Sequence, residues 1–316
     1  MLIRRALIGT GALWVLGRPA LAQPTRKAYR VGLIFTGLAS EYSGPLPQQP
    51  TAREFVRGMS ELGYVYGQHY VTEVRGAEGK PERYPIAAAE LVQLQVDLIV
   101  AVGPALPALK QATATIPIVM SAALGDPVAG GYIKSLGHAG SNSTGLSHQF
   151  DETTGKLLEL LKEIAPGAAP VAVLWDRGAR PQWQAAQEAA QTRGWKLLSL
   201  EIKDAAELDA AFKAATDARA GALLVHTGQI AFPNRKRIAE LAAKSRLPAM
   251  YDLRPYVDAG GLISYGANLN HIWVQAARFV DKLLKGAKPA DLPVEHPTRF
   301  ELIINLKATS LSPAAC

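Results

Sequence analysis

Cysteine is nearly absent from this chain. The only one among 316 residues is Cys316, at the last position, so no disulfide framework exists and apolar cores must hold the fold. Long apolar runs are also missing. The uncharged stretch from Ala6 to Leu16 falls short of the ~20 residues a membrane-spanning helix needs, and no later run reaches that length. Past the first residues there is no G-x-S-x-G, H-E-x-x-H, P-loop or Rossmann glycine fingerprint. The six histidines (69, 138, 148, 226, 271 and 296) show no metal-ligand spacing and read as surface or satisfied core residues. The net charge is +7, but Lys and Arg are scattered among Asp and Glu, with one small cluster at Arg235-Lys236-Arg237. That pattern suits solvated helix faces and offers no basic stripe for nucleic acid. Neither a metal nor an organic cofactor is implied.

What is present begins with an export signal. Arg4 and Arg5 precede the short apolar run, and Ala20-Leu21-Ala22 gives a small-x-small cleavage site before Gln23. Residues 1–22 therefore read as a signal peptide, and losing Arg4, Arg5 and Arg18 with it lowers +7 to +4. The expected location is the periplasm. Roughly 290 residues remain, enough for two domains of ordinary size.

From Tyr29 onward apolar runs alternate with helical stretches. The runs are RVGLIF (30–35), VDLIVAV (96–102), IPIVM (116–120), VAVLW (171–175), WKLLSL (195–200), ALLVH (222–226) and LPAMY (247–251). Near-continuous rather than alternating apolarity marks strands covered on both faces of a parallel sheet. Thr51-x-x-Glu54 reads as a capping box and Asp204-x-x-Glu207 as another helix start. The helix after Asn268 is expected to bury Trp273, Ala276 and Val280 and to leave Gln275, Arg278, Asp281 and Lys285 outside. The class is α/β, with two doubly wound parallel-sheet domains.

The series restarts once, at the Ala-Pro-Gly-Ala-Ala-Pro stretch (165–170), after a helix at about 152–164. The chain also ends oddly, with FELIIN (300–305) reading as a buried strand set off by Pro289, Pro293 and Pro297. Both features fit a chain that crosses between two lobes near 148, near 266 and along 293–298, forming a three-crossing hinge. The lobes are then 28–147 plus 268–294, and 148–267 plus 295–316.

Four stretches carry a family resemblance: GYVYGQHYVTEVRGAEGKPERYPIAAAELVQLQVDLIVAVG (63–103), IPIVMSAALGDPVAGGYIKSL (116–136), GSNSTGLS (140–147) and GGLISYGANLNHIWVQAARFVDKLLKGAKPADLPVEHPTRFELIINLK (260–307). Through them the sequence resembles the substrate-binding proteins of ATP-binding-cassette importers, in the subfamily with tryptophan- and other aromatic-amino-acid-binding members. The resemblance implies the type I periplasmic binding protein fold, an amino-acid ligand, a membrane permease as partner and a monomeric, non-enzymatic protein. It also implies a hydroxyl residue after the strand VDLIVAVG, where this chain has Gly103-Pro104-Ala105.

Independently of any family, ligands of open α/β sheets collect at the carboxyl ends of strands. In the first half these ends offer Thr36, Gly37, Ser40, Gly103, Pro104, Ala105, Ser121, Ala122 and Asp126. The second half offers Trp175, Asp176, Thr227 and Tyr251, and Tyr265 lies at the second crossing. Hydroxyls, turn N–H groups, carboxylates and aromatics on two facing sets suit a small zwitterion, with Asp126 or Asp176 receiving its ammonium. Each residue has a plainer reading. Asp126 before Pro127 can be a helix cap, Trp175 a core residue, Asp176 with Arg177 a surface pair, and Tyr251 and Tyr265 hinge packing. The same carboxylates could serve as the general base of a periplasmic enzyme, which is the alternative function; a sensory partner of a membrane receptor is another.

Overall fold

Most of the apolar runs become the middle strands of two sheets in a computed structural model, which describes residues 28–124, 126–148 and 150–309. The leader read over 1–22 and Cys316 lie outside these residues. The first part runs β1 (Tyr29–Phe35), α1 (Ala39–Tyr42), α2 (Pro50–Glu61), β2 (Tyr70–Gly76), α3 (Arg83–Gln93), β3 (Leu98–Val102), α4 (Leu106–Ala112), β4 (Ile118–Leu124) and β5 (Ser143–His148). There follow α5 (Phe150–Ile164), β6 (Val171–Asp176), α6 (Arg180–Arg193), β7 (Leu197–Ile202), α7 (Leu208–Asp217), β8 (Ala222–Val225), α8 (Arg235–Lys244), β9 (Ala249–Tyr251), α9 (Arg254–Asp258) and β10 (Ile263–Ala267). The chain finishes with α10 (Leu269–Leu284), β11 (Val294–Glu295), β12 (Phe300–Ile304) and α11 (Leu306–Thr309).

Six strands in the order β11-β5-β4-β3-β1-β2 form one sheet, and β12-β10-β9-β8-β6-β7 form the other. All neighbours pair parallel except β12, which runs antiparallel to β10. Two apolar layers flank each sheet, so each lobe has its own double core. The chain leaves the first sheet after β5, returns after β10 so that α10 packs on α2, and leaves again between β11 and β12. Packing between α10 and α2 is close: a Cβ on Gly58 would lie 2.9 Å from that of Ala277. Leu269, at the second crossing, packs against a core layer of each lobe.

The crossings are tied to one another. Asn268 caps α10 by accepting the His271 amide at 2.9 Å, while its own side-chain amide donates to Glu301 at 2.9 Å and its backbone N–H to the Arg299 carbonyl at 2.9 Å. A ring nitrogen of His296 lies 3.2 Å from the Ser147 carbonyl, joining the first and third crossings.

Several local expectations are corrected. The capping box at Thr51 does not form: α2 starts at Pro50, whose fixed φ suits a first helical turn, and Glu54 pairs with Arg57 instead. Gln275 and Asp281 are buried, and Asp281 accepts the Tyr64 hydroxyl at 3.0 Å. The terminal strand is an edge strand, with Phe300 45%, Leu302 48% and Ile304 49% exposed on one face. The strands β2, β5, β10 and β11 were not among the apolar runs. In β5 the Thr144 hydroxyl donates to the Pro293 carbonyl at 3.1 Å, whereas the buried Ser147 hydroxyl has no partner.

Burial has one measurable consequence. It pushes the Tyr42 phenol up to about 12 and raises those of Tyr70, Tyr84, Tyr132, Tyr251 and Tyr256 as well. Unfolding returns each to its ordinary value near 10, so the stabilising difference is complete below pH 10 and is lost as pH rises through the folded values, for Tyr42 from 10 through about 12. Tyrosinate absorbance and loss of helical circular dichroism should therefore appear together in one alkaline transition. Ionisation of all ten tyrosines ahead of unfolding would contradict the burial.

Candidate functional site

Strand pairing brings the predicted strand ends together in two sets. On the first lobe β1, β3 and β4 are neighbours, so Thr36 and Gly37, Gly103 to Ala105, and Ser121 with Ala122 line one carboxyl edge. The register slips where β3 and β4 reach this edge, at Ala101/Val102 and again after Met120. Irregularities of this kind re-aim residues beside binding sites. Gly103 to Ala105 form a single 3₁₀ turn leading into α4, with Gly103 and Ala105 buried. Ser121 is fully buried and its hydroxyl donates to the Ala101 carbonyl at 3.1 Å. Ser40 is exposed on α1. Asp126 is exposed too, and its carboxylate accepts the Val128 amide at 2.7 Å, a turn cap rather than an aimed ligand group.

Gly37 packs closely on its neighbours, and Gly76 is required by it. The Gly37 carbonyl lies 2.1 Å from where a Cβ on Gly76 would sit, and its own Cβ position is 3.0 Å from the Tyr42 ring. Tyr42 ends a stacked series absent from the sequence-based candidates. Its ring lies 3.8 Å from Phe35, which stacks at 4.7 Å on Trp273. Besides burial, Glu41 raises the Tyr42 hydroxyl, while Arg235 of the second lobe and Thr36 oppose the rise. The two parts of the chain approach each other at Gly79, where an added Cβ would lie 3.4 Å from Pro233.

On the second lobe the carboxyl edge holds Asp176, Thr227, Asp252 and Tyr265. Asp176 is 1% exposed, and its oxygens accept the amides of Gly178 at 2.8 Å, Gln229 at 3.3 Å, Ile230 at 2.8 Å and Ala231 at 3.1 Å. This carboxylate is a brace for two loops and is neither a surface pair with Arg177 nor free for a ligand. Gly228 makes room for it, since a Cβ there would lie 2.1 Å from Oδ1. Asp252, at the end of β9, is equally buried; it accepts the Thr227 amide at 2.6 Å and also the Thr227 hydroxyl. Trp175 donates from its indole to Ser199 at 2.8 Å, stacks on Trp183 at 5.7 Å and has Arg180 5.4 Å from its ring centre. Those contacts hold it toward β7 and α6. Tyr251 is fully buried and stacks on Tyr256 at 5.0 Å, in the core layer beneath α8 and α9. Tyr265 is half-buried and stacks on Phe300 at 6.1 Å. His226 departs from the expectation of a satisfied histidine: it is fully buried, and neither ring nitrogen has a hydrogen bond.

The sequence profile described as "ABC transporter substrate binding protein" matches residues 49–311. The chain belongs to that family. This substrate-binding protein is 25% identical over 255 residues to the "Tyrosine-binding protein" of Clostridioides difficile (strain R20291), covering 79% of this chain and 73% of that one. Its fold is similar to that of a conserved domain protein from Vibrio cholerae, with a TM-score of 0.81, 25% identity, and 90% and 94% of the two chains covered. It is also similar to the ABC domain in complex with L-Trp from Streptococcus pneumonia, with a TM-score of 0.80, 22% identity, and 90% and 94% covered. Substrate-binding proteins of this family are extracytoplasmic and work with the permease of an ABC transporter. They are solute-binding proteins and not enzymes, so the alternative of a general base at Asp126 or Asp176 is set aside.

Proposed function

We propose that this substrate-binding protein captures an amino acid with an aromatic or apolar side chain between its two lobes, in the periplasm, as a monomer. Residues 1–22 act as its export signal. What supports the reading is that each sheet presents a carboxyl edge, one with turn N–H groups and hydroxyls and the other with buried carboxylates. A helix-leading turn at Gly103 to Ala105, with Thr36 beside it, offers donors to a carboxylate. Buried Asp252 and the absence of any buried Lys or Arg among the described residues favour a cation on the other side. Tyr42 and half-buried Tyr265 are the aromatic groups assigned to flank the side chain, where stacking adds about 0.5–1.5 kcal/mol beyond burial. The relative named for tyrosine and the structure holding L-Trp support the same class. The units that close on the ligand are 28–147 plus 268–294 and 148–267 plus 295–316.

A thermal-shift screen of the standard amino acids tests this. A true ligand at about 100 times its Kd adds about 2.7 kcal/mol of stability. For a protein of this size that is roughly 5–10 °C. L-Tyrosine, L-tryptophan or L-phenylalanine should give such a shift. A shift with a neutral sugar and none with any amino acid would overturn the assignment.

A further inference from the structure

Asp176 and Asp252 find their hydrogen-bond partners within the protein, but two other buried polar side chains of the second lobe do not. Gln182 is completely buried, and neither its amide oxygen nor its amide nitrogen has a partner. His226 is completely buried with both ring nitrogens unmet. Buried polar atoms are nearly always satisfied, so four unmet ones in two side chains call for an explanation.

The fold places the two on the same side of the second sheet. Gln182 lies in the first turn of α6 and shares the inner face of that helix with Ala186 and Ala190. Ala186 packs in the layer that also contains Trp175 and Leu224. His226 comes two residues after Leu224 and so projects from the same face of the sheet. Its amide donates to the Leu174 carbonyl at 3.0 Å, which sets it beside the end of β6. Both side chains therefore sit at the cleft end of the layer under α6.

The local charge selects what they would receive. His226 Nδ1 faces a carboxylate oxygen of Asp252 at 3.9 Å, which favours the tautomer protonated on Nδ1 and leaves Nε2 as an acceptor. The Gln182 amide oxygen is a second acceptor. Asp176 and Asp252 make the surroundings negative, and no Lys or Arg is buried among the described residues. Two acceptors in a negative setting suit an ammonium group. The Gln182 amide nitrogen remains to donate to an acceptor next to that ammonium, as an α-carboxylate would be.

We propose that Gln182 and His226 recognise the primary ammonium of the ligand and set the requirement for an amine. This rests on the reading of the ligand as an amino acid. It also gives the unmet polar atoms a purpose: their cost in the empty protein becomes selectivity in the loaded one.

Titration calorimetry tests it with L-tyrosine, L-tryptophan and L-phenylalanine, and with 3-phenylpropionate and 3-(4-hydroxyphenyl)propionate, which lack the amine. The wild type should bind at least one amino acid at least 100-fold more tightly than its amine-free analogue. Gln182→Leu and His226→Leu should each lose at least 10-fold for the amino acid and less than threefold for the analogue. The melting temperature of each ligand-free variant should hold or rise, because an apolar group replaces an unmet polar one. Should His226→Leu fail to fold, Gln182→Met, of similar shape, gives the same comparison. Unchanged amino-acid affinity in the variants overturns the proposal and leaves the amino-acid reading standing. Equal wild-type affinity for an amino acid and its analogue overturns it too. If the wild type binds none of these compounds, the amino-acid reading fails and the proposal falls with it.

Discussion

Asp176→Ala should lower the melting temperature by on the order of 10 °C while ligand affinity of the folded variant stays within a few-fold. Four backbone N–H groups, from Gly178, Gln229, Ile230 and Ala231, converge on this carboxylate. Without it they are left in a site 1% exposed. Each buried donor without an acceptor costs about 1–3 kcal/mol, and water entering the vacated space recovers part of the sum. A net loss of about 3–5 kcal/mol corresponds to roughly 10 °C for a protein of this size. Gly228→Ala should act in the same direction, because its new methyl would sit 2.1 Å from Asp176 Oδ1. Thermal unfolding without ligand, followed by titration, decides the matter. Were Asp176 instead the group that holds the ammonium, affinity would collapse and the melting temperature would hardly move.

Trp273→Ala should destabilise by about 3–5 kcal/mol, the usual cost of removing a buried aromatic ring. Trp273 is 4% exposed, stacks on Phe35 and meets Phe55 edge-on at 6.3 Å. It belongs to α10, which comes late in the sequence yet completes the first lobe. Phe35 in turn carries Tyr42 at the cleft, so the variant should also bind ligand more weakly. Trp273→Phe should recover most of the stability and most of the affinity. Denaturant unfolding gives the first quantity and titration the second. Full affinity in a strongly destabilised Trp273→Ala would break the link from α10 to Tyr42.

Different physical signals made different parts of this molecule readable. The central strands β1, β3, β6 and β8 announce themselves because both of their faces are covered and every residue can be apolar. Strands that carry polar residues lack that signature, wherever they lie in the sheet. β2 carries Glu73, which pairs with Arg30 at 2.8 Å, and β5 carries Ser143, Thr144 and Ser147, buried among neighbours far away in the chain. Candidate site residues were found where a rule of α/β sheets puts them, at strand ends. Their roles were not, because a role depends on partners: the amides that bind Asp176 come mostly from a loop more than fifty residues on. Gln182 and His226 carried weak signals only. One is a polar residue four and eight positions before two inward alanines, and the other is a histidine ending the run ALLVH.

The bonds around Asn268 and His296 have a mechanical meaning. Three chain segments lying side by side and fastened at intervals form a flexure, comparable to a laminated spring. Such a strip bends easily across its thin direction, but it resists shear because sliding one layer past another would break the fastenings at Glu301, Arg299 and Ser147. These fastenings favour bending about one axis over sliding in any motion of the two halves.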